Sequence, residues 1–588
     1  MKEFFKYVAA TVVGVFCVWI FVCIMSLVMF ASMLASGEGK PSVKDGSVLR
    51  INLSGELSER AVNDPFSELF GEENMESQGL DDMLKAIRVA KTNDKVKGIY
   101  LEGGMLSADF ASLEELRKAL VDFKKSKKFV VSYADQYTQG SYYLASTADK
   151  VLLNPNGMVD WHGIASQPIF YTDLLKKIGV KMQVFKVGTF KSAVEPFILT
   201  EMSEPNRQQV QSFIGDIWQH FCKDISASRK VSVDSLNAYA DRYVTFGDVD
   251  DFVKMKLVDS LSYVDGVRDN LRALCGGKEL NFVSPSDLAK LDEPKKADAK
   301  VMVYYAEGDI VDEITSSPLG STSSEIVGSK VVSDLDELAN DEKVKAVVLR
   351  INSGGGSAYA SEQMWRAIQQ LKAKKPVVVS MSGMAASGGY YMSCGANYIV
   401  ADKTTLTGSI GIFGMIPDAS ELLTEKLGLH FDVVKTNKSG DFGSMGRPFN
   451  ADEAAAMQGY VNRGYKLFLK RVADGRKMKV EDVDKIAQGR VWTGNQALKI
   501  KLVDKLGTLD DAIAEAAKLA KLTDYALDTY PTKKSWFDEL MESTNKDDYM
   551  ERKLQSMLGV YYEPLRYVTT CNQQNMLQAR MLYVPNFK

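Results

Sequence analysis

Val377-Val378-Val379-Ser380-Met381 leads into Ala385-Ala386-Ser387-Gly388-Gly389-Tyr390-Tyr391. The short β-branched run reads as a buried strand. Small residues then crowd around Ser387, and aromatics resume. Ala-Ala-Ser-Gly-Gly after a strand leaves room for close approach to the Ser387 hydroxyl. If a helix begins there, the amides of its first turn lack intrahelical partners and can stabilise a developing negative charge. A tight strand-to-helix turn that simply needs small residues is the plainer alternative.

Working outward, the same pattern has a partner upstream. Lys95-Val96-Lys97 lies 248 positions before Lys343-Val344-Lys345. The same shift pairs Val130-Val131-Ser132 with Val378-Val379-Ser380, and Tyr142-Tyr143 with Tyr390-Tyr391. One fixed offset over such a stretch points to an internal duplication. Strand signals at Val48–Leu53 and Val301–Tyr305 open the copies, placed at 46–297 and 298–525. Ser112–Lys125 and Ser361–Lys372 have apolar residues at helical spacing with lysines at their ends. Strands alternating with such helices predict an α/β fold built on a mostly parallel sheet. Residues 526–588 read as a poorly packed or oligomer-contacting extension.

The copies differ where chemistry is expected. Opposite Ser387 the first copy has Gln139. Phe190-Lys191-Ser192-Ala193-Val194-Glu195-Pro196-Phe197 has its counterpart in a segment ending Arg447-Pro448-Phe449, where no lysine aligns with Lys191. The second copy carries Asn352-Ser353-Gly354-Gly355-Gly356-Ser357 after a strand, where the first has Glu102-Gly103-Gly104-Met105. One half keeps a serine and a glycine loop, the other a lysine. That split predicts one composite site, with Lys438 as a rival to Lys191.

A serine hydroxyl is a weak nucleophile until a base takes its proton. The chain has three histidines, His162, His220 and His430, so lysine is the candidate base. Its free pKa of about 10.4 must fall toward roughly 7–8, which burial among apolar neighbours achieves. Val184, Phe185, Val187, Phe190, Val194 and Phe197 supply such neighbours. Glu195 opposes the shift and must point away or pair elsewhere. The loop glycines let backbone approach a substrate closely. The loop lacks the Gly-Lys-Ser/Thr ending of a phosphate-binding P-loop.

Composition narrows the rest. The chain has 588 residues and a formal net charge of −4, with no long basic run, so nothing favours a nucleic-acid partner. Six cysteines, Cys17, Cys23, Cys222, Cys275, Cys394 and Cys571, show no metal or disulfide spacing. No metal or cofactor is expected. Tyr7 to Ala35 carries no charge and follows Lys2 and Lys6. A bilayer span needs roughly 20 apolar residues. Residues 1–45 therefore read as a membrane anchor and linker with a cytoplasmic N-terminus. A cleaved signal peptide, whose apolar core is normally shorter, is the competing expectation.

Four motifs in this order resemble the signal peptide peptidase A family in its long, duplicated form. They are Phe190–Phe197, Asn352–Ser357, Ala385–Tyr390 and Leu406-Thr407-Gly408-Ser409-Ile410-Gly411-Ile412. The resemblance covers the apolar N-terminus and both repeats, and does not extend past about residue 525. It implies tandem domains of the Clp protease/crotonase fold behind one transmembrane helix, and a serine protease with a Ser–Lys dyad. It further implies Ser387 as nucleophile, Lys191 as general base and Ser409 as the residue that orients Lys191. The amides of Gly355 and Gly388 match the family's oxyanion hole. Gly354 departs from the family's usual proline. The implied protein is a homotetramer in the bacterial inner membrane, facing the periplasm and degrading signal-peptide remnants and other hydrophobic peptides. Two other functions are compatible with parts of the pattern: a crotonase-like acyl-CoA enzyme, and a catalytically inactive, membrane-anchored peptide-binding or scaffold protein.

Overall fold

The computed structural model describes residues 6–7, 13–16, 18–22, 24–25, 42–61, 77–277, 279–313, 325–532 and 577–581. Most of the apolar segment 7–35 lies outside them. Among the described residues no helix is long and apolar enough to cross a membrane.

The run Val377–Val379 belongs to the strand Val377–Ala386, a central member of a largely parallel sheet. Both of its faces are covered. Val377 and Val379 enter the main core of the second half, and Val378 packs on the far face with Ala512 and Ala516 of the helix Leu509–Leu519. A parallel strand buried on both faces reads as an unbroken apolar run rather than an alternation.

The duplication holds element by element. Strands begin at Val96 and Val344, at Phe129 and Val377, and at Lys150 and Tyr398. Helices begin at Leu80 and Gly328, and at Phe110 and Ala358. The two expected helices are present as Phe110–Phe123 and Ala358–Lys374. Side-chain chemistry repeats too. The Tyr142 hydroxyl donates to the Leu257 carbonyl at 2.7 Å, and that of Tyr390 to the Leu502 carbonyl at 2.8 Å.

Each half has its own sheet, and a third sheet joins them. It runs from the first half's strand Lys181–Lys186 to the second half's Phe413–Asp418, then through Gln578–Arg580 to Gly355–Ser357 and beyond. Lys181–Lys186 pairs antiparallel with Phe413–Asp418, Lys186 opposite Phe413. Of the C-terminal extension, expected to be poorly packed or to contact another copy, the described residues include two strands. Ala526–Tyr530 adds a parallel strand to the second sheet, and Gln578–Arg580 fills a slot in the third.

A buried ion cluster also ties the halves. Arg350 of the second half, 2% exposed, donates to Glu59 at 2.7 and 3.0 Å and to Glu115 at 2.7 Å, both from the first half. It also reaches the Ser380 and Ser382 hydroxyls at 3.0 and 3.1 Å. These carboxylates hold the guanidinium well above its usual pKa despite its burial.

Candidate active site

Ser387 stands between the strand Val377–Ala386 and the helix Gly388–Ser393, at φ 52° and ψ −109°. A positive φ is uncommon for a residue with a side chain and costs conformational energy. Its backbone is fixed from both sides. The Ser387 amide donates to the Gly408 carbonyl at 2.9 Å, and its carbonyl accepts from the Tyr391 amide at 2.8 Å. Ser387 is fully buried.

The joining sheet carries Lys191 to that serine. Beyond Lys186 the ladder continues with the Val187 amide donating to the Ile412 carbonyl at 3.2 Å, and the Phe190 amide then donates to the Gln488 carbonyl at 2.8 Å. Lys191 follows, 1% exposed. Its Nζ donates to Ser387 Oγ at 2.8 Å, to Ser409 Oγ at 3.0 Å and to the Ser409 carbonyl at 3.2 Å. The Phe413 ring centroid lies 6.0 Å from Nζ. Burial lowers the lysine's pKa to about 7. An amine at that value is partly neutral near pH 7 and can accept a proton from a hydroxyl in contact with it.

Glu195 does not oppose this shift at close range. Its carboxylate accepts from Ser203 Oγ at 2.5 Å, the Ser203 amide at 3.2 Å and Asn206 Nδ2 at 2.9 Å. Lys438 is no rival. It is exposed and paired with Asp452. Gln139, opposite Ser387 in the first copy, is a structural residue. Its Oε1 accepts from the amides of His162 and Gly163 at 3.1 and 2.8 Å.

Gly388 and Gly355 are adjacent. A side-chain carbon placed on Gly355, at φ 97°, would lie 2.6 Å from the Gly388 nitrogen. The Gly355 amide, however, donates to Ser353 Oγ at 3.1 Å. That differs from the expectation of a free donor at Gly355. Ser409 has a positive φ of 48°, and its amide is held by the Arg490 carbonyl at 2.7 Å.

Gly489 went unnoticed in the sequence. At φ 78°, a side-chain carbon there would stand 2.6 Å from both the backbone nitrogen and Cβ of Lys191. Gly411, in the Leu406–Ile412 motif, is similarly close to the lysine stem. A carbon on it would be 3.2 Å from Lys191 Cδ. Only the fold brings 489 and 191 together, so no local pattern marks Gly489. Among the described residues there is no cluster suited to a metal ion.

An α/β scaffold that buries a serine on a strained turn against a lysine defines a class, the serine hydrolases. The comparisons narrow it. The model of Peptidase family S49 matches twice, at 122–277 and 369–523, and that of Clp protease matches 310–401. The chain is 41% identical over 490 residues to "Protease 4" of Salmonella typhi, covering 81% of this chain and 78% of that protein. It is 34% identical over 519 residues to "Protease 4" of Haemophilus influenzae, covering 84% and 83%. It is 30% identical over 488 residues to "Serine protease SPPA, chloroplastic" of Arabidopsis thaliana, covering 82% and 70%. The chain belongs to Peptidase family S49. It is a serine protease with duplicated S49 domains on a Clp-protease-like fold.

Proposed function

We propose that the protein is a membrane-anchored endopeptidase with a Ser387–Lys191 dyad that degrades signal-peptide remnants and other hydrophobic peptides. The 2.8 Å contact between Lys191 Nζ and Ser387 Oγ, sealed from water, carries this reading. Neutral Lys191 accepts the Ser387 proton as Oγ attacks the scissile carbonyl. Ser409, through its hydroxyl and carbonyl, aims the amine. Protonated Lys191 then gives its proton to the leaving amine, and water hydrolyses the acyl-enzyme.

The oxyanion is stabilised by backbone amides. The Gly388 amide lies at the first turn of its helix, where no intrahelical acceptor exists. Because the Gly355 amide is engaged with Ser353, we assign the second donor to its neighbour Gly356. The acyl-CoA alternative needs no serine nucleophile and leaves the Ser387–Lys191 contact without a task.

Membrane attachment through residues 7–35 fits their composition. Where they are described they are helical, and the side chains of Val15, Phe16, Trp19 and Phe21 are exposed. With a cytoplasmic N-terminus, the protease domains face the periplasm of a bacterial inner membrane, assembled as a homotetramer. Hydrolysis of a hydrophobic peptide by the full chain tests the reading. Ser387→Ala and Lys191→Ala should each abolish it while leaving assembly intact. Full activity in the lysine variant would contradict it.

A further inference from the structure

Gln209, on the helix Glu204–Arg229 of the first half, is 2% exposed, and its side-chain amide joins backbone from both halves. Nε2 donates to the Phe190 carbonyl at 3.0 Å and to Ser192 Oγ at 2.9 Å, one residue to either side of Lys191. Asn206 Oδ1, one turn earlier on the same helix, lies 3.1 Å from Nε2 and shares its two protons. Oε1 accepts from the Val491 amide of the second half at 3.1 Å.

Both ends of this bridge lead to the reacting groups. The Phe190 amide is bound to the Gln488 carbonyl, so both backbone groups of the residue before the lysine are held. Val491 stands opposite Gly408, where Val491–Thr493 pairs antiparallel with Leu406–Gly408. The Gly408 carbonyl accepts from the Ser387 amide at 2.9 Å, and the Arg490 carbonyl from the Ser409 amide at 2.7 Å. One side chain therefore stands between the segment that carries the base and the strand that fixes both serines. The task needs a donor for a carbonyl and an acceptor for an N–H at one tip, which a carboxamide supplies. Ser203 and Asn206, at the start of the same helix, also hold Glu195. The helix thus grips the lysine segment at residues 190, 192 and 195.

Resting on the Ser387–Lys191 reading, we propose that Gln209 is a positioning residue for the reaction, which sets where Lys191 stands relative to Ser387 and Ser409 by clamping its segment to the backbone at 489–491. It acts through the main chain. Without the clamp, the buried Val491 amide and Phe190 carbonyl lose their partner, and the two segments separate to find others. A displacement of about 1 Å at the amine is enough to cost on the order of 100-fold in rate. Separation also lets water approach Nζ. That relieves the desolvation which keeps the amine neutral, so its proton is held to higher pH.

The rate of fluorophosphonate labelling of Ser387 in the full chain, measured against pH, tests this in wild type, Gln209→Met and Gln208→Met. Methionine keeps the side-chain length and removes both hydrogen-bonding ends. Gln208 is exposed on the same helix and donates to Glu204 at 3.1 Å, so its variant controls for a change in the helix alone. Gln209→Met should label on the order of 100-fold more slowly at pH 7, with its midpoint above the wild-type value near 7. Gln208→Met should match wild type. Should Gln209→Met not fold, Gln209→Asn, an amide too short to reach both segments, takes its place under the same two criteria. A rate and midpoint equal to wild type overturn the proposal. So does a rate lowered in proportion at every pH with the midpoint unmoved, which is what a loss of stability alone produces. If wild type itself takes no label on Ser387, the Ser387–Lys191 reading fails, and the positioning role with it.

Discussion

Lys191 is where the chemistry and the cost of folding meet. Burial brings its pKa from 10.5 to about 7, so the amine is protonated and buried in acid and neutral above pH 7. Activity should therefore rise through pH 7 and level off above it, a profile that kcat/KM measured against pH will show. The same shift is a stability term. Between pH 7 and 10.5 the unfolded lysine binds a proton that the folded one does not, so stability rises with pH across that window. Below pH 7 both states are protonated, and the full cost of burying the charge is present. Lys191→Met removes the term. Its stability advantage over wild type should be greatest below pH 7 and shrink by about 4 kcal/mol toward pH 10.5, read from urea unfolding at each pH. Gly489 governs the position of the same side chain. Gly489→Ala places a carbon against the Lys191 backbone at a φ that favours glycine. Displacement of the amine should lower kcat on the order of 100-fold, with binding of a substrate peptide little changed. A kcat within a few-fold of wild type would show that the lysine does not depend on that glycine.

At the scale of elements, the pairing of Lys181–Lys186 with Phe413–Asp418 is what delivers a first-half lysine to a second-half serine. The Val187-to-Ile412 bond sets the alternation, which makes Ile416 and Gln183 a hydrogen-bonded pair. Ile416→Pro deletes that donor in mid-ladder. Its activity should fall far more than its melting temperature, a contrast that parallel peptidase and thermal-unfolding measurements will reveal. Much at this scale was legible in the sequence. The offset of 248 located matching strands and helices, because both copies keep the apolar pattern their cores require. The missing lysine in one copy and missing serine in the other pointed to Lys191 and Ser387 jointly. What escaped was non-local. Gln578–Arg580 is three residues long and acquires its meaning only from the slot it enters. The Gly355 amide seemed free because sequence does not reveal that Ser353 turns back to accept from it.

Across the whole molecule, the composite site requires the halves to hold one relative position, and Arg350 is the buried tie between them. Removing it leaves the Glu59 and Glu115 carboxylates buried without their cation. Arg350→Ala should lose about 3–5 kcal/mol of unfolding free energy in urea, the usual consequence of breaking a buried ion pair from one side. Loss of peptidase activity should come at lower urea than loss of helical signal, since the dyad spans the boundary that the arginine secures. Coincident transitions would mean the halves do not separate before they unfold. The central claim, that a first-half lysine activates a second-half serine, has one direct measurement. The rate of fluorophosphonate labelling of Ser387 should be followed against pH in wild type and in Lys191→Ala. The wild-type rate should rise with a midpoint near pH 7, and the variant should show little labelling across that range. Equal labelling in both, or a wild-type profile without that midpoint, would contradict it.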